Sequence, residues 1–160
     1  MKIIIPIVLI VLFTGCQKSK TIYTNNPNAP ESLHNRSVGA SANELLASSK
    51  YASLKIEIQY MPGYAPDASA LNHLQSTLSS LLNKPSGISI VTNQVAAASN
   101  LTLSADDVLQ IERNNRTAFT TDNQIAVYVL YTNGNYTENN VLGVAYRNTS
   151  LAIFGKKIHE

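Results

Sequence analysis

Few residues in this chain have side chains suited to chemistry. There are three histidines, His34, His73 and His159, and one cysteine, Cys16. A hydrolytic zinc site needs imidazoles and carboxylates converging from one helix face or from neighbouring elements. His159-Glu160 has the right residue types, but it stands directly behind an apolar strand, with no second histidine after it. The pair reads as coincidence. His34 lies in a polar stretch containing Pro27 and Pro30, where a lone imidazole is expected to be solvated. His73 sits on a helical segment whose residues three and four positions away are Ala70, Ser69, Ser76 and Thr77. None of these can be a second ligand, so His73 reads as a surface or boundary residue. Asp106-Asp107 would make a carboxylate pair for acid–base work. They also follow Ser104 at a helix start, where acidic residues meet the positive end of the dipole, and that explains them fully. No catalytic residue and no metal ligand is therefore assigned within this chain. The single cysteine excludes an internal disulfide framework.

Those side chains have to be positioned by a modest domain. The chain has 160 residues, 44% of them apolar, enough for one real core. Charged residues make up only 14%, about half the usual share, so Asn, Ser and Thr must carry the polar surface. A formal charge of +2, without a basic run or interleaved aromatic stripe, argues against a nucleic-acid partner.

From residue 41 onward the pattern alternates strands and helices. Ser41-Ala42-Asn43-Glu44 has the form of a capping box, opening a short helix to about Lys50. Leu54 to Tyr60 alternates apolar and polar residues, which predicts a strand with one face on the core. Asp67 can cap a helix whose Leu71, Leu74, Leu78, Leu81 and Leu82 share a face. Asn83 to Gly87 breaks it, and Ile88 to Val95 is a second strand, reached by a crossover that joins parallel neighbours. Ala96 to Leu103 reads as loop. Ser104 begins another helix, ending near Arg116, with Val108, Leu109 and Ile111 on its buried side. Gln124 to Thr132 is apolar on both faces, the pattern of a central strand. After the turn signal Asn133-Gly134-Asn135 come two short apolar runs, Val141 to Tyr146 and about Ser150 to Lys156, which read as a hairpin. The expected fold is α/β: a three-layer sandwich around a mixed, mostly parallel sheet of five strands. In sequence numbering its order would be second, first, third, fifth, fourth, with the fourth an antiparallel edge.

The N-terminus has a different character. Met1-Lys2 precedes the apolar run Ile3 to Phe13, and Phe13-Thr14-Gly15 leads into Cys16. A dozen apolar residues suit a signal-peptide core, whereas a spanning helix needs about 20. The pattern resembles the bacterial lipoprotein signal, with Phe13 where leucine is usual. That resemblance implies cleavage before Cys16 and lipid attachment to it, since a buried acyl chain anchors by about 0.8 kcal/mol per CH₂. Gln17 in the following position implies the outer rather than the inner membrane of the cell envelope. The expected organisation is a signal peptide over 1–15, a lipidated Cys16 with a flexible tether over 16–40, and an α/β domain over 41–160 that is cut short at its C-terminus.

Four segments carry a further resemblance: Ser37 to Leu46 (SVGASANELL), Leu54 to Tyr64 (LKIEIQYMPGY), Leu82 to Val91 (LNKPSGISIV) and Val141 to Phe154 (VLGVAYRNTSLAIF). Together they resemble bacterial lipoproteins described as membrane metalloproteases. The last segment also looks like the part of archaemetzincin-type zinc proteases that precedes the active-site helix. The resemblance implies that the strand holding Gly143, Val144, Ala145 and Tyr146 is an edge above the cleft, where extended substrate pairs through main-chain hydrogen bonds. Gly143 suits close approach of another backbone and equally suits a bulge in a plain edge strand. The family's His-Glu-x-x-His is absent from this chain, so zinc is expected only with a catalytic helix further downstream. The chain is thus expected to be the N-terminal portion of a membrane-anchored zinc metallopeptidase, inactive alone. The alternative is a non-enzymatic envelope lipoprotein that binds a partner through the same sheet edge.

Overall fold

A computed structural model describes residues 33–155. The expected signal peptide, Cys16, the first part of the tether and His159-Glu160 lie outside the described residues.

The elements follow the alternation of the sequence. Helix α1 spans Ala42–Leu46, strand β1 Ser53–Tyr60, helix α2 Ala68–Leu81 and strand β2 Ile88–Gln94. A two-residue strand β3 (Thr102–Leu103) precedes helix α3 (Ala105–Asn115), and β4 follows at Gln124–Thr132. The short β5 (Asn135–Tyr136) pairs in parallel with β3, and the chain closes on β6 (Gly143–Arg147) and β7 (Ser150–Phe154). The five longer strands form one sheet in the order β2-β1-β4-β7-β6. All are parallel except β6, which runs antiparallel to β7. The α/β architecture with a mixed, mostly parallel sheet is the one expected from sequence.

Side-chain alternation sorts the core into two layers. Leu54, Ile56 and Ile58 of β1 join Ile125 and Val129 of β4 on one face, beneath Leu45 of α1 and Leu71, Leu78 and Leu82 of α2. Tyr128, Leu130, Ala152 and Phe154 face the other way, against Val108 and Ile111 of α3. No residue of α2 is fully buried, and Leu81, placed by spacing on its apolar face, is 70% exposed. The leucine ridge of α2 stands off the sheet, leaving an apolar cavity of about 450 Å³ lined by Leu74, Leu78, Val127, Tyr131, Leu151 and Ile153 among others.

Two local readings of the sequence change. The capping box expected at Ser41 does not form: Ser41 is at the N-cap position but makes no side-chain capping bond. It is fully buried, and its hydroxyl oxygen accepts from Asn148 Nδ2 instead. A capping box does form at α3, where Ser104 and Asp107 bond reciprocally. Strand β1, expected to have one face on the core, is covered on both: Glu57 is 0% and Gln59 2% exposed. It lies between β2 and β4, so its polar face is roofed as well.

Candidate functional site

The candidate edge is held from behind by its hairpin partner. The amide of Phe154 donates to the carbonyl of Leu142 at 2.9 Å. In the antiparallel register Val144 faces Ala152, and bonded pairs alternate along such a ladder. The bonded positions on β6 are therefore Leu142 and Val144, and Gly143 and Ala145 turn their N–H and C=O groups outward. β6 has no sheet neighbour on that side among the described residues. The register shifts between Ala145 and Arg147, so the strand carries a bulge at Tyr146.

The four candidate residues divide between two faces. Gly143 and Ala145 are exposed, whereas Val144 and Tyr146 pack into the cluster beneath α3. A ligand on this edge would therefore meet the main chain and the small side chains. Gly143 does answer a close approach, and the approaching backbone is that of β7: a Cβ at Gly143 would lie 3.0 Å from the carbonyl oxygen of Ala152.

Beneath the edge lies a buried polar cluster that the sequence reading missed. Glu112 Oε1 accepts from Arg116 Nη1 at 2.6 Å and from the hydroxyl of Ser150 at 2.6 Å. Arg116 also donates to the carbonyls of Ala118 at 2.8 Å and Ala126 at 3.2 Å, so one side chain ties α3, the following loop, β4 and β7 together. Glu112 Oε2 and the Tyr146 hydroxyl are each buried without a partner of hydrogen-bond geometry. Burial, with the Glu112 charge adding to it, pushes the Tyr146 phenol up, so it stays protonated at any physiological pH. Nearby, Glu57 accepts from the amides of Thr117 and Ala118 and from the Thr117 hydroxyl, and Gln59 bridges Glu57 to the hydroxyl of Tyr128. Glu57 is engaged through both oxygens and Glu112 through Oε1 alone, and both carboxylates hold the scaffold. The available signal was the helical spacing of Val108, Glu112 and Arg116, which puts an ion pair on the buried face of α3.

The N-terminal stretch, 33–40, docks on the hairpin turn. Asn148 donates from Nδ2 to the carbonyl of Leu33 at 3.0 Å, its own amide donates to the carbonyl of Arg36 at 3.1 Å, and Arg147 donates to the carbonyl of Asn35 at 3.2 Å. His34, expected in solvent, is half-buried against the ring of Phe119, 5.5 Å between centroids. Burial, with Arg116 and Arg147 nearby, brings its pKa down to about 4, so it is neutral at physiological pH. His73 is exposed on α2. Asp107 accepts from both the amide and hydroxyl of Ser104, which hold its carboxyl below the usual range. Its neighbour Asp106 lies on the rim of a polar cleft of about 310 Å³, with Asn35, Arg36, Ser37, Tyr146 and Arg147.

Among the described residues no group of three or more His, Cys, Asp or Glu side chains could hold a metal ion. No described helix is long and apolar enough to cross a membrane. Comparisons with protein-family models, curated proteins and solved structures find no match.

Proposed function

We propose that this chain is the N-terminal portion of a lipid-anchored zinc metallopeptidase of the cell envelope, and that β6 is the edge on which it receives an extended peptide. The observation that supports this reading is the outer side of β6, where among the described residues the main-chain groups of Gly143 and Ala145 face no strand of the sheet. Peptides add to such an edge through the same alternating hydrogen bonds that join β6 to β7. The small side chains Gly143 and Ala145 let the peptide approach, Val144 and Tyr146 pack into the core beneath it, and Arg116 and Glu112 hold the neighbouring β7 through Ser150.

The described residues do not fit a zinc site. His34 packs tilted against Phe119, His73 stands alone on α2, and Glu57 and Oε1 of Glu112 are occupied by structural partners. What these residues contribute is binding and orientation, and no step of hydrolysis is assigned to them. The same outward main-chain groups of β6 also fit a second reading, a non-enzymatic envelope lipoprotein that uses β6 to hold a partner protein.

Metal analysis of the full-length, membrane-purified protein separates the two. The peptidase reading requires about one zinc per chain and peptide cleavage that is lost on chelation. Metal-free protein without cleavage leaves the partner-binding reading. Anchoring at Cys16 is tested by Cys16→Ala, expected to move the protein out of the membrane fraction. Unchanged sedimentation would rule the anchor out.

A further inference from the structure

The cleft rimmed by Arg36 and Arg147 lies at the C-terminal end of the candidate edge. Three elements build it: Asn35, Arg36 and Ser37 from the docked N-terminal stretch, Ala105, Asp106 and Leu109 from the start of α3, and Tyr146 and Arg147 from the end of β6. Its cavity, about 310 Å³, is large enough for one or two side chains. Two arginines and one aspartate are among the residues that line it. Arg36 is held only loosely by Glu44, at 3.8 Å with 40% of its side chain exposed. Arg147 uses Nη1 on the Asn35 carbonyl, a neutral acceptor. Asp106, at the start of α3, is exposed and takes no part in the capping box, which Ser104 and Asp107 complete between them.

A strand added antiparallel to β6 runs from Arg147 toward Gly143, so its N-terminal residues lie over this cleft. From this arrangement we propose that the edge selects extended peptides with acidic side chains at the N-terminal end of the paired segment, which Arg36 and Arg147 receive. Guanidinium forks match carboxylates in geometry as well as charge. The inference rests on the edge reading above and adds to it a substrate class and a direction.

The test uses synthetic peptides of alternating Thr and Val, fluorescently labelled, with two glutamates at the N-terminal end, two lysines there, or two glutamates at the C-terminal end. Affinity is read by anisotropy at low salt, and pairing by hydrogen exchange at the Gly143 and Ala145 amides. The N-terminal glutamate peptide is expected to bind about 5- to 10-fold more tightly than either control, the gain of two rim ion pairs, and to lose that advantage in high salt. Replacing Arg36 and Arg147 together by Gln should remove the preference, leaving the C-terminal glutamate peptide as before and letting the lysine peptide, no longer repelled, bind somewhat more tightly. Asp106→Asn, which deletes the opposing charge, should strengthen it. Protection of the edge amides by all three peptides with equal affinity would overturn the acidic preference and leave the edge reading standing. No protection by any peptide would overturn both.

Discussion

Asn148, in the turn between β6 and β7, and Ser41, ahead of α1, exchange two hydrogen bonds across 107 residues of chain. The Ser41 amide donates to Asn148 Oδ1 at 2.8 Å, and Asn148 Nδ2 donates to Ser41 Oγ at 2.6 Å. Both residues are buried, and Asn148 reaches the Leu33 carbonyl as well. The clasp joins the N-terminal stretch to the hairpin that presents the candidate edge.

Asn148→Ala should therefore cost more than an ordinary surface substitution. It strands a buried amide, a hydroxyl and a carbonyl, each worth on the order of 1 kcal/mol or more when left unpaired. A loss of about 2–3 kcal/mol is expected in urea denaturation, with limited proteolysis cutting first within 33–41. A change below about 0.5 kcal/mol would mean that the clasp is dispensable.

Arg116 ties several elements of the fold together through one buried side chain. Its partners are the carboxylate of Glu112, the hydroxyl of Ser150 and the carbonyls of Ala118 and Ala126. Arg116→Met keeps much of the apolar stem but leaves Glu112 charged in a site where it is 2% exposed. Breaking a buried pair from one side costs roughly 3–5 kcal/mol. Adding Glu112→Gln to Arg116→Met should recover part of that, because the stranded charge is gone. A double variant less stable than the single would contradict the pairing.

How much of this was legible in the sequence differs by element. Strand β4 and helix α3 were plain, because an apolar run covered on both sides and a Ser-x-x-Asp start are local signals. The polar side of β1 was not. Lys55, Glu57 and Gln59 look like a solvent face, and only the third dimension shows Thr117, Ala118 and Tyr128 waiting for Glu57 and Gln59. Ser41 failed in the same way: the capping-box pattern is local, but a partner 107 residues away claims the hydroxyl. Gly143 to Tyr146 do lie together in the edge strand, and the division of Gly143 and Ala145 from Val144 and Tyr146 came from the register with β7.

His34 gives the domain a pH dependence of known sign. Its pKa is lowered from 6.5 to about 4 by burial and by Arg116 and Arg147, so the folded protein favours the neutral ring. The stabilisation is complete above about pH 6.5 and is lost as pH falls toward 4. The side chain is partly in contact with water, so screening limits the effect to about 1–2 kcal/mol. His34→Gln should flatten the stability difference between pH 6.5 and 4 relative to the parent protein. Parallel stability curves for the two would show that the imidazole is not held neutral.

The edge assignment has a direct consequence for Ala145. Its N–H points away from β7, so proline there removes an outward donor without breaking the hairpin ladder, the one strand setting in which proline is tolerated. Hydrogen exchange at individual amides of β6, with and without an extended Thr-Val peptide, tests this most directly. The expected result is slow exchange at Val144 in both states, fast exchange at Gly143 and Ala145 in the free protein, and slowing of those two by peptide. In Ala145→Pro the fold should persist while the peptide no longer slows Gly143. Exchange at Gly143 and Ala145 that is unchanged by peptide would contradict β6 as a peptide-pairing edge.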